Sequence, residues 1–307
     1  MIELNNEKDI VVIYGPTASG KSSFAVELAN VTGGVIINAD SAQVYKESKI
    51  LSNVPTLQEQ KNIPHYLFNY ISILKYNSVA KWLLDVKNIV ADVTKEKKLP
   101  IIVGGSGLYL KALVSGINKF PVTLHCRKPA SEKYEELGHD AFRNLVKEID
   151  SSLLDRVNDK QRLIRAYEVY LATGKTLSEW HKAPLEKEIN ANFIKVELTQ
   201  ERESLYANIN ARVEKMVNSG AIDEVKAIKN LSNHGGILKK IIGLKEIDQY
   251  LENIITKEEA IDLTKISTRN YCKRQQTWFK SQMKNDILVD KALEGDDLSI
   301  VKKMFKI

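Results

Sequence analysis

Apolar residues follow two rhythms along this chain. "DIVVIY" (9–14) is a continuous apolar run closed by glycine, the pattern of a strand buried on both faces of a parallel sheet. From Lys21 to Val31 the spacing becomes helical, with Phe24, Leu28 and Val31 on one side. "GGVIINAD" (33–40) is a second buried strand ending on an acid. Residues 79–96 are helical again, and "LPIIVGGSGLYLKAL" reads as strand, glycine turn and helix. Strand and helix in this alternation predict a doubly wound α/β sheet. After Gly116 the texture changes. Residues 118–191 offer no convincing strand, whereas "EKYEELGHDAFRNLVKEI" and "RLIRAYEVYLATGKTLSEW" both carry helical spacing. The sheet rhythm returns with "NFIKVEL" (192–198) and "DILVD" (286–290). Between them lie a helix over about 202–218, ended by Gly220, and a long one from about Lys257 to Gln282. The expected organisation is an α/β core of residues 1–117 and 192–307, interrupted by an all-helical insertion, 118–191.

Composition narrows the class without choosing a function. The 307 residues are 43% hydrophobic and 27% charged, enough for one large core plus a smaller appended domain. No apolar run is long enough to span a bilayer, and the N-terminus "MIELNNEKD" lacks a secretory pattern. Two cysteines, Cys126 and Cys272, and five scattered histidines give neither a disulfide framework nor a zinc site. The expectation is a cytoplasmic protein, taken as a monomer by default. A balance of 45 Lys+Arg against 39 Asp+Glu permits a nucleic-acid partner without demanding one.

The sharpest chemical signal follows the first strand. Gly15, Gly20, Lys21 and Ser22 in "GPTASGKS" match the phosphate-binding loop G-x-x-x-x-G-K-[ST], with a strand before and a helix after. The core is therefore expected to be of the P-loop NTPase type. In such a loop, here Gly15, Pro16, Thr17, Ala18, Ser19, Gly20, Lys21 and Ser22, backbone N–H groups converge on phosphate oxygens at a helix N-terminus. Lys21 neutralises the terminal phosphates, and Ser22 or Thr17 can assist through a hydroxyl or a bound Mg²⁺. Asp40 ends the second strand, in the crevice where open α/β sheets keep their active sites. There it can hold Mg²⁺ or accept a proton, or simply cap a helix; Ser41, Gln43 and Tyr45 follow it. "IIVGGSGLY" (101–109) adds two glycines and Ser106 on a third strand, readable as further donors or as a tight turn with a capping serine. That strand ends on no acid, so the carboxylate that supports ATP hydrolysis is not evident.

Two basic clusters complete the inventory. "NDKQRLIRAYEVY" places Arg162 and Arg165 on one helical face beside Lys160 and Gln161. "TRNYCKRQQTWFKSQMK" spaces Arg269, Lys273 and Lys280 along a helix, with Arg274, Gln275 and Gln276 beside them and Trp278 and Phe279 between. Such residues suit phosphate and base contacts, although a solvated basic face over core aromatics has the same pattern.

In order along the chain, "GPTASGKS", "NADSAQVY", "PHYLF" (64–68), "GGSGLYLKAL", "NDKQRLIRAYEVYLATGKTLSEW", "INARVEKMVNSGAIDEV", "IGLKEI" (242–247) and "TRNYCKRQQTWFK" resemble the tRNA dimethylallyltransferases, or isopentenyltransferases, from about residue 10 to 282. The resemblance implies transfer of a dimethylallyl group from dimethylallyl diphosphate to N6 of the adenosine 3′ of the anticodon, aided by Mg²⁺. It implies that residues 15–22 grip the donor diphosphate, that Asp40 is the general base, that Arg212 in "INARV" orients the phosphates, and that Ser106 joins the site. It implies tRNA contacts at Asp40, Ser41, Ala42 and Gln43, at Ser106, at Arg127, at Gln161, Arg162, Leu163, Ile164 and Arg165, and at Lys273, Arg274, Gln275, Gln276 and Lys280. The family's usual threonine after the paired glycines is Ser106 here. Its acidic-proline stretch is replaced by "FPVTLHCRKPASEK", which leaves Arg127 or Lys128 for the RNA contact. Two other classes compete: a nucleoside or small-molecule kinase holding ATP, and an RNA-binding protein switched by a nucleotide without covalent chemistry.

Overall fold

In the computed structural model, which describes residues 2–75, 77–118, 124–153, 157–231, 241–290 and 296–306, the chain forms two compact units. One comprises Met1–Val114 and Glu188–Ile307, the other Ser115–Lys187. The first carries strands β1 (Asp9–Tyr14), β2 (Val35–Asn38), β3 (His65–Tyr66), β4 (Pro100–Gly104), β5 (Asn192–Thr199) and β6 (Ile287–Asp290). They form one parallel sheet in the order β3-β2-β4-β1-β5-β6. β1 lies between β4 and β5, with Val11 level with Ile101 and Ile194, and every residue of β1 is buried. This is why "DIVVIY" is apolar throughout rather than alternating.

Helices cover the sheet. α1 (Lys21–Thr32) sets Phe24 and Leu28 into a core shared with Val11, Ile13, Ile101 and Val196; Val31 packs at its margin. α2 (Leu57–Gln60), α3 (Val79–Lys95) and α4 (Gly107–Ser115) follow. In the second unit lie α5 (Leu124–Ile149), bent at Gly138, then α6 (Lys160–Thr173) and α7 (Leu177–Lys182). The core resumes with α8 (Arg202–Asn218), α9 (Ala221–Lys229), α10 (Leu244–Leu251), α11 (Lys257–Gln282) and α12 (Asp297–Met304). The second unit holds its own core, in which Phe142, Leu163 and Val169 are fully buried.

Several expectations shift. β2 stops at Asn38, so Asp40 stands in the loop beyond the strand. β3 is a two-residue strand inside "PHYLF" that no periodicity signals. Gly220 does not simply end α8: with φ 102° it caps the start of α9. The tail, which carries no sequence signal, folds α12 back so that Ile300, Val301 and Phe305 complete the α1 face of the core. The first residues of the divergent "FPVTLH" stretch, 120–123, lie outside the described residues.

Candidate active site

At the carboxyl ends of β1, β2 and β4 the sheet opens onto a cavity of about 720 Å³. The loop between β1 and α1 contributes Thr17, Ala18, Gly20, Lys21 and Ser22 to its lining. Gly15 is obligatory for a steric reason: a Cβ there would meet the Leu198 carbonyl oxygen at 2.2 Å. Gly20 takes φ 83° as the N-cap of α1, turning the chain so that the helix N-terminus faces the cavity. Lys21 Nζ donates to the Pro16 carbonyl at 2.6 Å. Ser19 is buried, and its hydroxyl has no hydrogen-bond partner among the described residues.

Lys21 and Arg212, from α8, both line this cavity. Burial lowers the Lys21 ammonium to about 8, with Asp40 opposing that shift and Arg212 adding to it. Burial likewise lowers the Arg212 guanidinium, again against the pull of Asp40, and its Nε is buried without a hydrogen-bond partner. Two partly desolvated cations therefore face one carboxylate. That imbalance favours a multiply charged anion, because each cation regains by contact what it lost in hydration.

Asp40 is held firmly. Its Oδ1 accepts the Ala42 N–H at 2.9 Å, which closes a turn, so the helix-cap alternative does not apply. Its own N–H donates to Asn38 Oδ1 at 2.8 Å. Asn38, fully buried, donates through Nδ2 to the carbonyls of Asp40 at 3.1 Å and Leu67 at 3.0 Å, while Trp82 Nε1 donates to the Asn38 carbonyl at 2.9 Å. Ser106 Oγ accepts the Ser41 N–H at 2.8 Å and donates to Ser41 Oγ at 3.1 Å. Gln43 spans its own loop, donating from Nε2 to the carbonyls of Ser52 and Asn53, each at 3.0 Å.

α11 closes the cavity with Tyr271, Arg274 and Gln275. The Tyr271 hydroxyl lies beside the Ser106 and Gln275 side chains. Burial and the nearby Asp40 charge raise its pKa, so it remains a neutral phenol. Gln275 is buried, as is Leu163 in the other unit, so neither side chain is offered to solvent as a surface contact. Lys273 and Lys280 are exposed on α11, Arg274 is exposed at the cavity's edge, and Gln276 is half-buried.

The arginines of the second unit differ. Arg162 pairs with Asp159 at 3.2 Å, and Arg165 pairs with the buried Glu168 at 2.7 Å. Arg127 and Gln161 are exposed, Ile164 is half-buried, and Lys128 pairs with Glu132 at 3.7 Å. Asn38, Tyr271 and the burial of Gln275 escape a reading by motif. The available signal is a polar residue inside an apolar strand for Asn38. For α11 it is Thr264, Thr268, Tyr271 and Gln275 recurring at helical spacing on the face that also buries Ala260 and Cys272.

The family model described as IPP transferase matches residues 43–282. The chain belongs to the IPP transferase family. Among its relatives, tRNA dimethylallyltransferases of Rickettsia bellii are 39% identical over 302 residues, covering 97% of this chain and 96% of theirs. That of Pelagibacter ubique is 41% identical over 293 residues, covering 94% and 93%. A eukaryotic dimethylallyltransferase captured acting on tRNA superposes with a TM-score of 0.75 at 30% identity, covering 92% of this chain and 74% of that one. The tRNA isopentenylpyrophosphate transferase of Staphylococcus epidermidis gives a TM-score of 0.66 at 29% identity, covering 97% of each chain. The P-loop-like parallel sheet is thus the fold that the chain shares with these transferases.

Proposed function

We propose that this chain is a tRNA dimethylallyltransferase, moving the five-carbon group of dimethylallyl diphosphate onto N6 of the adenosine immediately 3′ of the anticodon. The observation that carries the reading is the anion-seeking cavity in which Lys21 and Arg212 face Asp40, in a chain matching tRNA dimethylallyltransferases along nearly its whole length.

The loop Gly15–Ser22 grips the diphosphate, with Lys21 exchanging the Pro16 carbonyl for phosphate oxygens and Arg212 contacting the same group. The adenine N6 attacks the allylic carbon, and the carbon–oxygen bond to the diphosphate breaks with its electron pair leaving on oxygen. The proton from N6 passes to Asp40, whose carboxylate the Asn38 and Ala42 bonds aim into the cavity. Cationic contacts that strengthen as negative charge grows on the leaving group lower the barrier selectively. Among the described residues no three His, Cys, Asp or Glu cluster as a self-sufficient metal cage. Mg²⁺ binds through few protein ligands plus phosphate oxygens. Ser22, on the first turn of α1 and lining the cavity, would hold it, and the ion would neutralise the departing diphosphate. The exposed α11 residues Lys273, Arg274 and Lys280, with Gln276, receive tRNA phosphates, as do Arg127 and the Gln161–Arg165 turn of the second unit. The adenine must leave its stack to be reached.

A kinase would use the same loop for ATP. Incubation of unmodified tRNA with labelled dimethylallyl diphosphate, and separately with γ-labelled ATP, distinguishes them. Label should enter RNA from the prenyl donor alone; entry only from ATP would sink this reading.

A further inference from the structure

Gln275 sits in the middle of the basic α11 segment, yet its side chain faces inward. Oε1 accepts the Thr17 N–H at 2.8 Å and Nε2 donates to the Gly105 carbonyl at 2.8 Å. The residue is 5% exposed. One amide thus joins the phosphate loop after β1 to the glycine turn after β4. The neighbours are shaped around it. A Cβ on Gly105 would lie 2.3 Å from Gln275 Nε2, and one on Gly107 would lie 2.4 Å from the Trp278 ring, so both glycines admit α11. Beyond the turn, Ser106 accepts the N–H of Ser41, the residue after Asp40.

We infer that Gln275 is a positioning residue for diphosphate binding, a strut that sets the phosphate loop against the Gly105–Ser106 turn, and not a contact to RNA. This rests on the proposed transferase reading, because it takes diphosphate as the ligand of the loop. The Thr17 N–H is committed to Gln275, which fixes the loop's curvature and leaves the later N–H groups to converge on phosphate. Both ends of the amide are used, and its burial means that losing either bond leaves a polar backbone group without its partner. Lys273, two residues before it, is exposed and outside the cavity lining, and carries the RNA-facing duty.

The test compares two affinities in the full-length protein: inorganic diphosphate with Mg²⁺ by calorimetry, and unmodified tRNA by filter binding. Gln275→Met, similar in size but without the amide, should weaken diphosphate binding about tenfold or more while tRNA affinity stays within about twofold. Gln275→Glu keeps an acceptor for Thr17 and should fall between. Lys273→Ala should show the reverse pattern, with weaker tRNA binding, a shallower salt dependence and unchanged diphosphate affinity. Should Gln275→Met fail to fold, Gly105→Ala displaces the same amide from the other side and should reproduce the diphosphate defect. Loss of tRNA affinity with intact diphosphate binding, in whichever variant folds, would overturn the strut and return Gln275 to the RNA surface. Absence of diphosphate binding by the unaltered protein would instead count against the transferase reading itself.

Discussion

Lys21 stands between burial, which removes its proton, and the carboxylate of Asp40, which retains it. The free site balances at about 8. Diphosphate needs the ammonium form, so affinity should be flat below that pH and fall about tenfold per unit above it, as one proton is lost. Calorimetric titration from neutral pH upward checks this, and Lys21→Arg should remove the break because guanidinium stays charged. For stability the sign is reversed. A lysine whose folded pKa lies below its unfolded value penalises the fold at lower pH, and that penalty fades as pH rises through the window above about 8. Asp40→Asn should lower the single-turnover rate by about 100-fold or more, with tRNA affinity nearly unchanged, since the amide keeps the turn to Ala42 but cannot take the proton. At this scale the glycine loop between β1 and α1 is legible because its shape lies in local spacing. Asn38 and Gln275 are not, because a buried amide acquires its purpose only from partners 29 and 170 residues away.

The basic helices show how far an element's pattern can be trusted. α6 begins with the arginine face that periodicity predicts, yet Arg165 is bound to Glu168, a carboxylate 3% exposed. Arg165→Ala should therefore destabilise the second unit by about 1–2 kcal/mol, after discounting for the half-exposed arginine, as well as weaken RNA binding. Chemical denaturation separates the two effects: an unchanged midpoint with weaker RNA binding would mean that the pair contributes nothing to the fold. A second element-level test concerns the loop after Asp40. Glu224 on α9 accepts the N–H groups of Ile50 and Leu51, each at 2.8 Å, fixing the segment whose Leu51, Ser52 and Asn53 line the cavity. Glu224→Ala should cost about 1–3 kcal/mol, read as a shift in denaturation midpoint. Long helices such as α8 and α11 were readable from their 3.6-residue rhythm. The two-residue β3 and the short α12 were not, because too few residues carry any period.

For the whole molecule, the arrangement is a parallel-sheet core into which a helical unit is spliced. Its ends meet: Ile117 and Glu186 exchange backbone hydrogen bonds at 3.1 and 2.9 Å. Excising residues 118–185 and joining the ends with a short glycine linker should leave a core that folds and binds inorganic diphosphate. tRNA affinity should fall, because the contacts proposed for Arg127 and Gln161–Arg165 go with the excised unit. Circular dichroism and the two binding assays check this; retained full tRNA affinity would confine RNA recognition to the core. The change of texture after Gly116 is visible in the sequence; the compact unit Ser115–Lys187 closes where Glu188 reaches Lys87 and Ile189 is buried.

The most direct test of the central claim is mass spectrometry of the nucleosides of unmodified tRNA after incubation with the protein, Mg²⁺ and dimethylallyl diphosphate. One adenosine per tRNA, that immediately 3′ of the anticodon, should gain a dimethylallyl group, and the Asp40→Asn protein should produce almost none. Tight tRNA binding with every adenosine unchanged in mass would contradict the account and leave an RNA-binding protein without covalent chemistry.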